Sequence, residues 1–159
     1  MPLRKHAIPA LLSFALLLIG AAPPAWSNPK PAASIPAADL IQPAELAATL
    51  KQTKIRKPLV LQVGFRNLYA QSHIPEAEYA GAGGDEDGQK TLRQRVSKLS
   101  TDTAIVIYCG CCPWSRCPNI AAAYDTLREL GFSNVKVLYI ADNFGSDWVD
   151  KGYPATQGS

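Results

Sequence analysis

The chain has 159 residues, 47% hydrophobic and 18% charged, which gives room for one domain with an ordinary apolar core. Its formal charge is +3, from 16 basic and 13 acidic residues, and two of the basic ones, Arg4 and Lys5, sit in the extreme N-terminus. The remainder is close to neutral and has no clustered basic face, which excludes nucleic-acid binding.

Arg4, Lys5 and His6 precede an apolar run from Ala7 to Ala22, followed by Pro23, Pro24 and Ala25-Trp26-Ser27. This pattern predicts a secretory signal peptide over residues 1–27, cleaved after Ser27. The run is short for a membrane span, and no cysteine stands at the cleavage site to be lipidated. The expected location is therefore secreted, periplasmic if the source is a Gram-negative bacterium, with membrane contact only during export. Residues 28–38, rich in Pro, Ala and Ser, are expected to be a flexible linker, and the folded domain should span 39–157.

Pro43 suits a first helical turn leading into AELAATL, with Leu46 and Leu50 on one face. LVLQV, Leu59 to Val63, reads as a buried strand bounded by Pro58 and Gly64. GAGGDEDG, Gly81 to Gly88, has acidic residues that do not complete a calcium loop and is expected to be solvated. Leu92, Val96 and Leu99 recur at helical spacing, with Arg93, Arg95 and Lys98 on the solvated side. Ala104 to Tyr108 forms a second buried strand. PNIAAAYDTLREL then carries Ile120, Tyr124 and Leu127 on one helical stripe and stops at Gly131, before a third strand from Val135 to Ile140. Strands alternating with helices predict an α/β fold with a parallel sheet, in which ligands bind beyond the carboxyl ends of the strands. Cys109 stands at such an end.

All four cysteines, Cys109, Cys111, Cys112 and Cys117, fall in the loop CGCCPWSRC between the second strand and the following helix. A helix N-terminus favours an anion and can turn a cysteine into a nucleophilic thiolate, with loop amides and Arg116 adding to the effect. Pro118 suits the first helical position and makes Cys117 the N-cap, a candidate resolving thiol or nucleophile. The same sulfurs could instead hold zinc or copper(I) as an all-sulfur site, since beyond the leader the chain has a single histidine, His73, and no haem-attachment motif. A third reading is one or two disulfides that close the loop, although adjacent Cys111 and Cys112 are poorly placed to pair.

From about Asp39 to Pro154 the chain resembles the rhodanese-like family, through LVLQVGFR, SHIPEAEY, IVIYC, AAAYDTLRELGF and DWVDKGYP. The resemblance implies a central parallel five-stranded sheet with helices on both faces. It also implies that Cys109 accepts a sulfane sulfur as a persulfide and passes it to a thiol acceptor, with no cofactor and no metal. On that reading Cys109, Arg116 and Cys117 are catalytic, and Gly110, Cys111, Cys112, Trp114 and Ser115 contact substrate. Trp114 either lines a pocket or covers the loop. His73, Trp148 and Arg66 are read as structural, Arg66 through an ion pair. Two features depart from the family: Gly64 stands where an acidic residue is usual, and the cysteine loop is longer than the common cradle. The runner-up readings are a soft-metal or thiol-redox module and a catalytically inactive scaffold.

Overall fold

The structure, a computed structural model, describes residues 32–158. The expected signal peptide and the first residues of the expected linker lie outside them. The order is β1 (Leu40–Ile41), α1 (Pro43–Lys51), β2 (Leu59–Gln62), α2 (Arg66–Gln71), β3 (Glu78–Tyr79), α3 (Glu86–Val96), β4 (Ile105–Tyr108), α4 (Pro118–Glu129) and β5 (Val135–Leu138). Short 3₁₀ turns cover Ala32–Ser34, Ala37–Asp39 and Trp114–Arg116, and a π turn covers Gly145–Val149.

The five strands form one all-parallel sheet in the order β1-β5-β4-β2-β3, as expected of the fold class. The apolar runs LVLQ and IVIY occupy its centre because a strand covered on both faces needs no polar side. Alternation along β4 sends Ile105, Ile107 and Cys109 to the core beneath α3 and α4, and Val106 and Tyr108 to the core beneath α1 and Trp148. That parity aims the Cys109 sulfur at α4. Each buried aliphatic side chain contributes about 1.5–3 kcal/mol.

The α4 helix ends as its sequence predicts. Gly131 has φ +87°, its N–H donates to Arg128 O, and Phe132 N–H donates to Leu127 O, closing the last turn in a Schellman arrangement. Trp148 is fully buried and its Nε1–H donates to Pro154 O at 2.8 Å. His73 stacks on Tyr69 at 3.9 Å, and its Nδ1 lies 2.8 Å from Tyr69 O.

Several expectations change. Residues 32–38 are not an extended tether: Ala32 and Ile35 are buried in the core that contains α4. Two edge strands, β1 and β3, and the short α2 carry too few residues to show a period, so the sequence reading missed them. The Arg66 guanidinium lies over the Tyr79 ring at 4.4 Å, a cation–π contact in place of the expected ion pair. Arg95 is no simple solvated residue, because it grips Glu78 with two hydrogen bonds, the longer at 2.8 Å, and this holds the Glu78 carboxyl below the usual range. The α3 helix stops at Val96, so Leu99 packs from the turn beyond it.

The largest correction concerns Gly81–Gly88. Gly81, Ala82, Gly83 and Gly88 are buried, and α3 starts inside the segment, with Asp85 as N-cap accepting from Gly88 N–H at 2.6 Å. Glycine is required for close approach: a Cβ on Gly88 would lie 1.8 Å from Ala82 O, and one on Gly83 would lie 2.3 Å from Asn119 O. The Gly88→Ala variant should lose about 1–3 kcal/mol of stability or more, as overpacking does. Urea unfolding checks this, and a midpoint equal to that of the wild type would contradict the packing described.

Candidate active site

The central strand β4 delivers Cys109 to the carboxyl end of the sheet, and Gly110 turns the chain away with φ +71°. No other residue fits there, because a Cβ would also meet Phe144 Cβ at 2.7 Å. Phe144 N–H donates to Gly110 O, and Trp114 N–H donates to Ala141 O at 2.9 Å, so the loop is tied to the chain beyond β5 at two points. Cys117 takes the N-cap of α4 with Pro118 in the first turn, the placement the sequence predicts.

The four cysteines are free thiols. Cys109 and Cys111 sulfurs lie 2.9 Å apart, Cys111 and Cys112 3.2 Å apart, and those of Cys109, Cys111 and Cys117 fall within 4.8 Å of one another. Cys109 and Cys117 are buried, while Cys111 and Cys112 are half-buried. Asn119, only 4% exposed, donates from Nδ2 to both Cys109 and Cys111 sulfurs at 3.6 Å. Its Oδ1 accepts the Gly84 N–H at 2.9 Å, which fixes which way the amide faces.

Hydrogen bonds from Cys109 and then Cys117 hold the Cys111 thiol well below the ordinary cysteine range, with Cys112 and Asn119 adding to the effect against burial. The same bond to Cys111 pushes Cys109 up to about 12. Bonding to Cys109 and Cys111 raises Cys117, and burial, then Cys111, raises Cys112. Cys111 is therefore the thiol of the cluster that ionises most readily, because neighbouring S–H groups and a carboxamide donate to its sulfur.

Asn119 is the residue the sequence reading did not single out. Its signal was present: Asn119, Ala123 and Leu127 are spaced by four, so a carboxamide sits on an apolar stripe. Gln62 was passed over as well. It is 2% exposed, its Nε2 donates to Cys109 O at 3.3 Å, and its Oε1 has no hydrogen-bond partner among the described residues.

The remaining expected residues have distinct places. Trp114 is half-buried and tilts against Tyr139 at 5.1 Å, covering a small apolar space shared with Cys112, Cys117, Ile120 and Ile140. Ser115 and Arg116 are exposed at the end of the 3₁₀ turn. A separate cavity of about 300 Å³ opens against Cys109, Gly110 and Cys111 and is bounded by Gln62, Ser72 and Asn143. Among the described residues, no Asp, Glu, Lys, Arg or His lines it. The departure at Gly64 has a local cause: a Cβ there would lie 2.8 Å from both Cys109 Sγ and Gln62 Nε2.

A strand-end cysteine beneath a helix N-terminus, on a five-stranded parallel sheet, agrees with the family comparison. The rhodanese-like domain model matches residues 42–139, and the chain belongs to that family. Among solved structures, the rhodanese-like domain of the Alr3790 protein from Anabaena sp. is 22% identical with a TM-score of 0.57, covering 75% of this chain and 79% of that one. The BH2092 protein from Bacillus halodurans is 21% identical with a TM-score of 0.57, covering 74% and 76%. EanB, solved with hercynine, is 22% identical with a TM-score of 0.52, covering 74% of this chain and 27% of its own. These likenesses show the fold. No curated protein sequence matches the chain.

Because its pKa is lowered, Cys111 stays a thiolate to lower pH than an ordinary cysteine, whereas Cys112, shifted upward, ionises only at higher pH. Iodoacetamide should therefore alkylate Cys111 at about pH 6, where an ordinary thiol is nearly unreactive. Asn119→Ala should slow that alkylation at least about threefold, because the thiolate loses a donor. Peptide mass spectrometry reads both sites, and equal rates in the two proteins would remove Asn119 from the electrostatics of the site.

Proposed function

We propose that the protein is a sulfurtransferase or persulfide carrier in which Cys109 accepts a sulfane sulfur and Cys111 manages its proton. The observation that carries this reading is the 2.9 Å contact in which the Cys109 thiol donates to the Cys111 sulfur. A buried thiol is a poor nucleophile until it loses its proton, and the acceptor for that proton is already in place. As Cys109 attacks the outer sulfur of a donor such as thiosulfate, a Cys109 S–S bond forms and the donor's S–S bond breaks. The sulfite leaves with that bond's electron pair, and the Cys109 proton passes to Cys111. The product is a Cys109 persulfide anion beside a neutral Cys111 thiol.

Transfer onward reverses the proton's path. An acceptor thiol in the neighbouring cavity gives its proton to the Cys109 persulfide anion, and the resulting thiolate attacks the outer sulfur, leaving as its own protonated persulfide while Cys109 departs as a thiolate. The Cys109 thiolate then recovers its proton from Cys111. Asn119 donates to both sulfurs and so favours whichever carries the charge. Gly110 sets the turn, and Trp114 keeps water from the rear of the cluster. Export through a cleaved leader, with secretion or a periplasmic location, is part of the same proposal, and the partners are then a small sulfur donor and a thiol.

The test is intact mass after incubating reduced protein with thiosulfate. One added sulfur should map to Cys109, and Cys109→Ser should show none. Turnover with cyanide or a thiol as acceptor should fall at least about 1,000-fold in that variant, the scale on which loss of a covalent nucleophile acts. Persulfidation at another cysteine, or undiminished turnover in Cys109→Ser, would refute the assignment.

A further inference from the structure

We propose that Cys109, Cys111 and Cys117 also form a three-coordinate site for copper(I). The inference goes beyond sulfur transfer and competes with it, because both need the Cys109 sulfur.

Geometry supplies the first argument. A metal–sulfur bond of about 2.3 Å places three sulfurs at the corners of a triangle about 4 Å on a side. The three thiols already lie within 4.8 Å of one another, drawn from the end of β4, the loop and the N-cap of α4. The short Cys109–Cys111 edge, 2.9 Å, opens to that size by rotation of the half-buried Cys111 side chain, while the two buried sulfurs stay where the core holds them.

Ligand chemistry selects the ion. The group contains only sulfur, with no histidine or carboxylate among the described residues that could join it. Soft thiolates select copper(I), zinc and iron–sulfur clusters. Structural zinc sites and iron–sulfur clusters take four protein ligands. Here the fourth thiol, Cys112, touches Cys111 at 3.2 Å but falls outside the group whose three sulfurs all lie within 4.8 Å of one another. Three thiolates suffice for copper(I).

The surroundings suit a sequestered soft ion. Trp114, Ile120, Leu138 and Ile140 give apolar walls to the small space that Cys109, Cys112 and Cys117 also line. The Asn119 amide donates to two of the three sulfurs, and Gly84 fixes its orientation, so the excess negative charge of a copper–thiolate group meets a positioned donor. Copper arrives as copper(I), so no electron is transferred, and the thiol protons leave to solvent.

Anaerobic titration of the reduced full chain with copper(I), in competition with bathocuproine disulfonate, tests the site. One copper per chain is expected, with an ultraviolet sulfur-to-copper charge-transfer band. Cys111→Ser and Cys117→Ser should each lower affinity at least about 100-fold, and Asn119→Ala about 10-fold, given that outer-shell losses alone cost about 10–100-fold. Cys112→Ser should cost no more than Asn119→Ala, because Cys112 touches the Cys111 sulfur at 3.2 Å as an outer-shell neighbour and is not a ligand in this scheme. Equal loss in Cys112→Ser and Cys117→Ser would overturn the assignment, as would preference for zinc in direct competition. If a serine variant fails to fold by circular dichroism, copper-edge X-ray absorption of the wild type decides: three sulfurs support the site, and two or four overturn it. Persulfide mass on the metal-free wild type is read separately, so failure of copper binding and failure of sulfur transfer give different results.

Discussion

The Asn119 carboxamide is the contact on which the site's arrangement depends. One end accepts the Gly84 N–H and the other reaches two sulfurs. It thereby couples the glycine-rich segment at the start of α3, 35 residues earlier in the chain, to the first turn of α4 and the cysteine loop that leads into it. The glycines matter because they let backbone approach α4 at the level of Asn119. A polar group buried this deeply costs about 1–3 kcal/mol when unpaired, so its fixed orientation is a stable feature of the fold.

Charge in the cluster follows from that arrangement. Four thiols near one another cannot all ionise, because like charges at such distances repel strongly in a poorly solvated site. The first proton to leave comes from the sulfur with the most donors, Cys111, and the remaining thiols serve as those donors. The proposed sulfur transfer draws on this property, and the proposed copper site uses the same three sulfurs.

Gly64 and Gln62 together shape the wall behind Cys109. The position after β2 has no room for a side chain, since the Cys109 sulfur and the Gln62 amide occupy the space. Gln62 in turn bonds the Cys109 carbonyl and leaves its Oε1 unpartnered beside the cavity. The resulting cavity wall is amide and aromatic in character and lacks a cation. The exposed Arg116 stands outside it.

The sequence by itself determined the parallel α/β class, the central strands, the helix that follows the cysteines and its glycine stop. These depend on local periodicity and capping, which any short window contains. It also placed Cys109 at a strand end and Cys117 at a helix start. The edge strands β1 and β3 escaped because two residues carry no period, and their pairing is supplied by neighbours. The packing of Gly81–Gly88, the Asn119 amide facing the sulfurs and the lowered pKa of Cys111 came from the folded chain alone. The first depends on contact between residues far apart in sequence, and the other two on how the loop between β4 and α4 folds back on itself, which spacing along the chain does not encode.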